Sequence, residues 1–115
     1  MSDGKYMIIR SRSELHKIMY SDIYYFERGN GDQEVGVVSV DGLFKFRGSI
    51  QKILPLLDDR FELCYRGIVA NVSRIKSIKT VNEFTTLYFN RNNEEEISCP
   101  CSDKYRSEVQ KKWES

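Results

Sequence analysis

Apolar and polar residues alternate through most of this chain, in short runs that turn-forming residues separate. Side chains of a β-strand point to alternate faces, so runs of this kind predict strands. Gly29–Asp32, Asp41-Gly42 and Asn90–Asn93 are expected to form hairpin loops between neighbouring runs. The pattern predicts strands over residues 6–11, 15–20, 23–26, 35–40, 44–47, 61–65, 75–80, 85–89 and 95–99.

Two segments change to a helical spacing. From Ile50 onward, apolar residues recur at i, i+3, i+4 and i+7 behind Ser49, which is suited to cap a helix. Pro55 limits that helix to about two turns. A second helix is expected after Ser102, with one apolar stripe at Tyr105, Val109 and Trp113. We therefore expect a mainly β fold of small stacked antiparallel sheets, with one short internal helix and a C-terminal helix.

Composition places the chain among ordinary globular proteins. Its 115 residues are 40% hydrophobic and 30% charged, and they include seven tyrosines and six phenylalanines, which favour strands. Since no linker-like stretch divides the chain, residues 1–115 are expected to form one domain. No apolar run approaches the roughly 18 residues of a membrane span. The N-terminus lacks a secretory segment and the cysteine count is odd, so a cytoplasmic location is expected.

A basic segment interrupts this nearly neutral background. Between residues 60 and 80, five basic residues against Glu62 alone give a local charge of +4, whereas the whole chain carries +1. Such a local excess on a β-rich domain is typical of contact with a phosphate backbone. The five are Arg60, Arg66, Arg74, Lys76 and Lys79.

The same segment carries a recognisable motif. Arg66 precedes Asn71 by five positions, an aliphatic run lies between them, and Ile75 follows. In this order and spacing, together with segments 23–31, 41–54 and 95–109, the chain resembles the LytTR DNA-binding domain of LytR/AlgR-type response regulators. The family usually has a serine where this chain has Gly67, and a basic residue where it has Asp103.

The resemblance implies a function. It predicts a LytTR-like fold that binds duplex DNA sequence-specifically, as the effector domain of a bacterial transcriptional regulator in a two-component system. It implies no cofactor, no metal, no membrane and no enzymatic activity, and it admits a receiver domain in a longer protein and a homodimer on DNA. The expected DNA-contacting residues are Asn30, Gln33, Glu34, Arg66, Arg74, Lys79, Ser102, Asp103 and Lys104.

Several of these residues have an alternative role. Asn30 or Gln33 can pair with adenine, and Arg66 can reach guanine or phosphate, but Arg66 can also form a surface ion pair with Glu62 or another acid. Asp103 can accept a hydrogen bond from the N4 amino group of cytosine, although we favour its interaction with the helix dipole. Asn71 is expected to hold a turn through its amide.

The sequence gives little support for a catalytic function. His16 is the only histidine, and no serine or cysteine is spaced to pair with it as a nucleophile. Gly29-Asn30-Gly31 lacks the third glycine and the following helix of a dinucleotide site. The acidic run 94–96 is expected to be a solvated strand edge.

The three cysteines leave other functions open. Cys99 and Cys101 would share one strand face, but a C-x-C pair with Cys64 and His16 is not a usual zinc spacing, so inert buried thiols are expected. A bridge from Cys64 to Cys99 or Cys101 would instead make the protein a redox-sensing regulator. Gly67 and Asp103 motivate another alternative, a LytTR-derived protein-interaction module that does not read DNA.

Overall fold

Ten strands and two α-helices make up the described part of the protein, residues 4–31, 33–89 and 96–115 of a computed structural model. The strands are β1 (Tyr6–Ser11), β2 (Glu14–Met19), β3 (Ile23–Arg28), β4 (Glu34–Ser39), β5 (Gly42–Arg47), β6 (Phe61–Tyr65), β7 (Ile68–Asn71), β8 (Ile75–Val81), β9 (Phe84–Phe89) and β10 (Ile97–Cys101). The helices are α1 (Ile50–Ile53) and α2 (Asp103–Glu114), and 3₁₀ turns cover Tyr20–Asp22, Leu54–Leu56 and Val72–Arg74.

The strands form three antiparallel sheets stacked in layers. The central sheet has the order β5-β4-β3-β7-β6, with the β1–β2 pair on one side and the β10-β9-β8 sheet on the other. Successive side chains of β3 face both interfaces, since Phe26 belongs to the same buried cluster as Ile9 and Ile18 of the β1–β2 pair, while Tyr25 packs against Phe89 of β9. The predicted fold class is therefore confirmed.

Two predicted local features are also confirmed by hydrogen bonds and backbone angles. The Lys52 amide donates to Ser49 Oγ at 3.2 Å, so Ser49 caps α1. The hairpin between β4 and β5 turns at Gly42, whose φ of +119° suits glycine. Ser102 does precede α2, but its side chain makes no capping hydrogen bond.

Most strand boundaries agree with the prediction to within one or two residues, and two differences have a clear physical reason. Strand β7 was not predicted because Ile68, Val69 and Ala70 are all apolar, as expected where both sheet faces are covered. Strand β10 ends at Cys101 rather than at 99 and includes Pro100, which an edge strand tolerates. The predicted loop 90–93 and residues 94–95 of the acidic run lie outside the described residues. Neither described helix is long and apolar enough to cross a membrane.

Candidate nucleic-acid interface

A tight turn between β6 and β7 presents Arg66 to solvent. The next residue, Gly67, has a φ of +80°, and a Cβ added there would lie 3.1 Å from Arg28 Cβ. The Arg28 amide donates to the Gly67 carbonyl oxygen at 2.8 Å, which fixes the turn against β3. Both the backbone angle and the limited space therefore favour glycine at this position, and the exposed Arg66 side chain projects from a turn that is hydrogen-bonded to β3.

The ion pair with Glu62, one of the alternatives for Arg66, does not form. Glu62 Oε1 instead accepts from Lys112 Nζ of α2 at 2.8 Å. Within the described residues Arg66 has no ion pair, so its guanidinium is available to an external anion or base. Pairing with Glu62 was therefore a wrong alternative.

The start of α2 lies beside this turn. The Ser102 amide donates to the Cys64 carbonyl oxygen at 2.9 Å, and Tyr105 lines a cleft of about 410 Å³ together with Arg66 and Gly67. Lys104 is exposed in the first turn of the helix. The expected residues Arg66, Ser102 and Lys104 are thus brought to one region of the surface.

Asp103 is exposed at the first position of α2. Its Oδ1 lies 3.6 Å from Arg106 Nη1, one helical turn along, and its charge lies at the positive end of the helix dipole. The ion pair with Arg106 and the favourable interaction with the helix dipole both support the structural role predicted for this carboxylate.

The loop between β3 and β4 reaches the same region. Its ends are joined by the Gly29 amide, which donates to the Glu34 carbonyl oxygen at 2.7 Å. Asn30 and Gln33 are exposed, whereas Glu34 is half-buried and lines the cleft that contains Arg66. Asp32, in the same loop, lies outside the described residues.

A second, more open cleft of about 700 Å³ adjoins the loop and contains cations that the sequence analysis missed. Asn30, Gln33 and Glu34 line it together with Arg10, Lys45 and Arg47. Arg28 was also missed and lines the first cleft. The alternation of Lys45 and Arg47 with Phe44 and Phe46 was a visible signal, because it places both cations on one strand face. No local sequence pattern indicates that Arg10 lies near the β3–β4 loop, which follows it by about twenty residues.

The basic segment 60–80 does not form one continuous strip. Arg60 pairs with Asp58, with 2.9 Å between Nη2 and Oδ2, and burial lowers the pKa of its guanidinium. Arg74 lies over the Tyr24 ring at 5.1 Å, and its buried Nε has no hydrogen-bond partner in the described part of the chain. Lys76 and Lys79 are exposed and line a separate cleft on β8 and β9. Only Arg66 of the five lies in the cleft at the start of α2.

Asn71 has the structural role predicted for it. The side chain is fully buried, and Nδ2 donates to the carbonyl oxygens of Tyr20 and Ile23 at 3.1 and 2.8 Å. Its Oδ1 accepts from the amide and the hydroxyl of Ser73 at 3.1 and 2.6 Å. The two bonds from Nδ2 join the end of β7 to the start of β3 and to the turn before it, and they use the full capacity of the amide nitrogen. The two bonds to Ser73 hold the turn that follows β7.

The cysteines lie together in the core between the central sheet and the β10-β9-β8 sheet. The Sγ atoms of Cys64 and Cys99 are 3.9 Å apart, and all three cysteines are buried. The hydrogen bond to Cys64 and burial raise the pKa of Cys99, while burial raises that of Cys101 to about 11. The thiols of Cys99 and Cys101 therefore stay protonated near neutral pH. His16 packs on Phe44, across the central sheet from them.

Exposed arginine and amide side chains, held on loops by a rigid β framework, are typical of a nucleic-acid-binding domain. The family model of the LytTr DNA-binding domain matches residues 13–114. The chain therefore belongs to the LytTR family of DNA-binding domains, as its sequence motif indicated.

A solved structure supports the same fold. The LytTr DNA-binding domain of a protein described as a methyl-accepting/DNA response regulator from Bacillus cereus superposes with a TM-score of 0.76. The two are 24% identical, and the match covers 95% of this chain and 97% of that one. No curated protein matches this sequence.

Proposed function

We propose that this domain binds duplex DNA sequence-specifically and acts as the effector domain of a bacterial transcriptional regulator. The observation that carries the proposal is the position of Arg66, exposed on a glycine-fixed turn and unpaired among the described side chains. It shares a cleft with Glu34, where the β3–β4 loop enters β4, and with Tyr105 at the start of α2. Three loop regions thus converge on one surface, where guanidinium and amide groups can reach base edges.

Each side chain has a role within this proposal. Arg66 donates to guanine O6 and N7, and Asn30 or Gln33 pairs with the N6 and N7 positions of adenine. Lys104 and the Ser102 hydroxyl contact phosphates, which position the domain without carrying sequence information. Lys79 and Arg74 are peripheral, because they lie away from the shared cleft. The resemblance and the description of the Bacillus cereus relative support a response-regulator context for this proposal.

The residues that motivated an interaction module have structural explanations. Gly67 satisfies a turn that a larger residue would strain, and Asp103 pairs with Arg106. Neither observation speaks against DNA reading, so DNA binding remains the better-supported function.

Selection from a random duplex library, followed by anisotropy titrations of the selected and scrambled sites, tests the proposal. We expect an enriched motif, bound at least about a thousandfold more tightly than scrambled DNA, as is typical of specific binding. Equal affinity for all duplexes would contradict sequence-specific binding, and absence of binding at low salt would favour the interaction module.

A second candidate function rests on the thiols. The 3.9 Å separation of the Cys64 and Cys99 Sγ atoms favours a bridge between the strands that lead to Arg66 and to Ser102. Formation of that bridge would release two protons and pass two electrons to an external oxidant such as a peroxide. Burial and the raised pKa of Cys99 oppose the reaction in the folded state, so this function ranks below DNA binding.

A further inference from the structure

We infer that Arg10, Lys45 and Arg47 form a phosphate-binding patch that holds the DNA backbone next to the β3–β4 loop. This inference rests on the DNA-binding function proposed above and adds a contact surface that the basic segment 60–80 does not include. The three residues are called the Arg10 patch below.

The fold brings the patch together from two layers. Arg10 lies near the end of β1, in the outer two-stranded sheet, whereas Lys45 and Arg47 lie on β5, at one edge of the central sheet. All three line the open cleft of about 700 Å³ that also contains Asn30 and Gln33. A duplex whose base edges reach the two amide side chains would therefore bring its backbone to these cations.

The charges of the patch are not neutralised within the described structure. Each of the three side chains is exposed, and none forms an ion pair with a described residue. The cleft contains one carboxylate among its described residues, that of Glu34, which lies directly opposite Arg47 in the β4–β5 register without an ion pair between them. Among the described lining residues, three cations against this one carboxylate give a charge of +2.

The shape of the cleft favours a polymer backbone over a small anion. A site for a single phosphate usually surrounds it with backbone amides or with a closed ring of donors. Here the cations lie along an open surface and come from two strands, β1 and β5, which suits successive phosphates of a duplex.

A salt titration with a charge-matched control tests the inference. The patch variant combines Arg10→Gln, Lys45→Gln and Arg47→Gln, and the control combines Lys17→Gln, Lys52→Gln and Lys111→Gln, three lysines that are also exposed. Both variants lose three positive charges, so a general effect of net charge is the same in each. Binding to the selected site and to scrambled DNA is measured by anisotropy between low and moderate salt.

We expect the patch variant to lower the magnitude of the slope of log K against log salt by roughly 2 to 3, at about 0.9 for each lost phosphate contact. The loss of affinity should be the same factor for selected and scrambled DNA, because phosphate contacts carry no sequence information. The control should keep the slope of the unaltered domain. The single variant Arg10→Gln should lower the magnitude by about 0.9, which tests the contribution of β1 separately.

Three results would overturn the inference while leaving the proposed function intact. These are an unchanged slope in the patch variant, an equal fall in the patch and control variants, and a loss confined to the selected site. Absence of salt-dependent DNA binding by the unaltered domain would instead overturn the proposed function, and the patch with it. All the replaced side chains are exposed, so circular dichroism should show that every variant is folded. If the triple variant does not fold, the salt titration is repeated with the single variants.

Discussion

The amide of Ser102 donates a hydrogen bond to the carbonyl oxygen of Cys64 at 2.9 Å, and this bond joins the start of α2 to the strand that leads to Arg66. The two residues are far apart in sequence: Cys64 lies on β6 of the central sheet, and Ser102 directly follows β10 of the outer three-stranded sheet. Strand β6 leads to the exposed Arg66, and the start of α2 carries the exposed Lys104. The bond therefore sets the relative position of these two side chains. Recognition by separate loops requires a rigid spacing of this kind, since base contacts depend on geometry within fractions of an ångström.

Replacement of Arg66 by alanine should weaken binding to the selected site by about 1–3 kcal/mol and relax the preference at one base pair. The reason is the loss of a two-pronged contact to guanine, which lysine cannot reproduce. Arg66→Lys should therefore retain affinity for scrambled DNA but not the preference. Anisotropy titrations on single-position site variants measure both quantities. An equal loss on every sequence would make Arg66 a phosphate contact only.

Replacement of Gly67 by alanine should destabilise the domain by about 1–3 kcal/mol. The alanine would have to adopt a positive φ, and its Cβ would lie 3.1 Å from Arg28 Cβ. Gly31 is the matched control. A Cβ there would meet nothing within 4 Å, so Gly31→Ala should change the free energy of unfolding by less than about 0.5 kcal/mol. Urea unfolding compares the two variants. Equal stability of both would show that the turn can relax.

Replacement of Asn71 by alanine should cost about 2–4 kcal/mol of stability. It would leave the buried carbonyl oxygen of Ile23 without the Asn71 donor and remove the acceptor of the Ser73 amide. Asn30→Ala removes the same side chain from an exposed loop, and it should leave stability unchanged while weakening DNA binding. A small stability loss in the Asn71 variant would mean that water replaces its bonds.

The local signals of the chain predicted much of this structure, and the reasons for the exceptions are physical. Alternation identified β2 and β5, because each has one covered and one open face. It could not identify β7, where Ile68 to Ala70 are covered on both faces and the pattern disappears. Charge counting grouped Arg74 with Arg66, although only packing decides that Arg74 lies against Tyr24. The position of Arg10 beside Asn30 depends on how two sheets meet.

Alkaline pH should destabilise the domain through its buried thiols. Burial raises the pKa of Cys101 to about 11, whereas an unfolded chain has a thiol pKa near 8.5. Above pH of about 8.5 the unfolded state loses protons that the folded state retains, so the free energy of unfolding falls as pH rises toward 11. Cys99, whose pKa is also raised, adds to the effect. Urea unfolding at pH 7 and at pH 10 measures the difference, and a Cys101→Ala variant should show a smaller one.

The folded domain should also resist thiol reagents at neutral pH. All three cysteines are buried, and the raised pKa values of Cys99 and Cys101 keep those groups as poorly nucleophilic thiols. Labelling by a disulfide reagent at pH 7.5 should be slow in buffer and reach three thiols in denaturant. Mild peroxide should leave DNA affinity unchanged. Mass spectrometry showing a Cys64–Cys99 bridge after peroxide, together with altered affinity that a reductant restores, would instead establish the redox function. Cys101→Ser should not affect that bridge, whereas Cys99→Ser should abolish it.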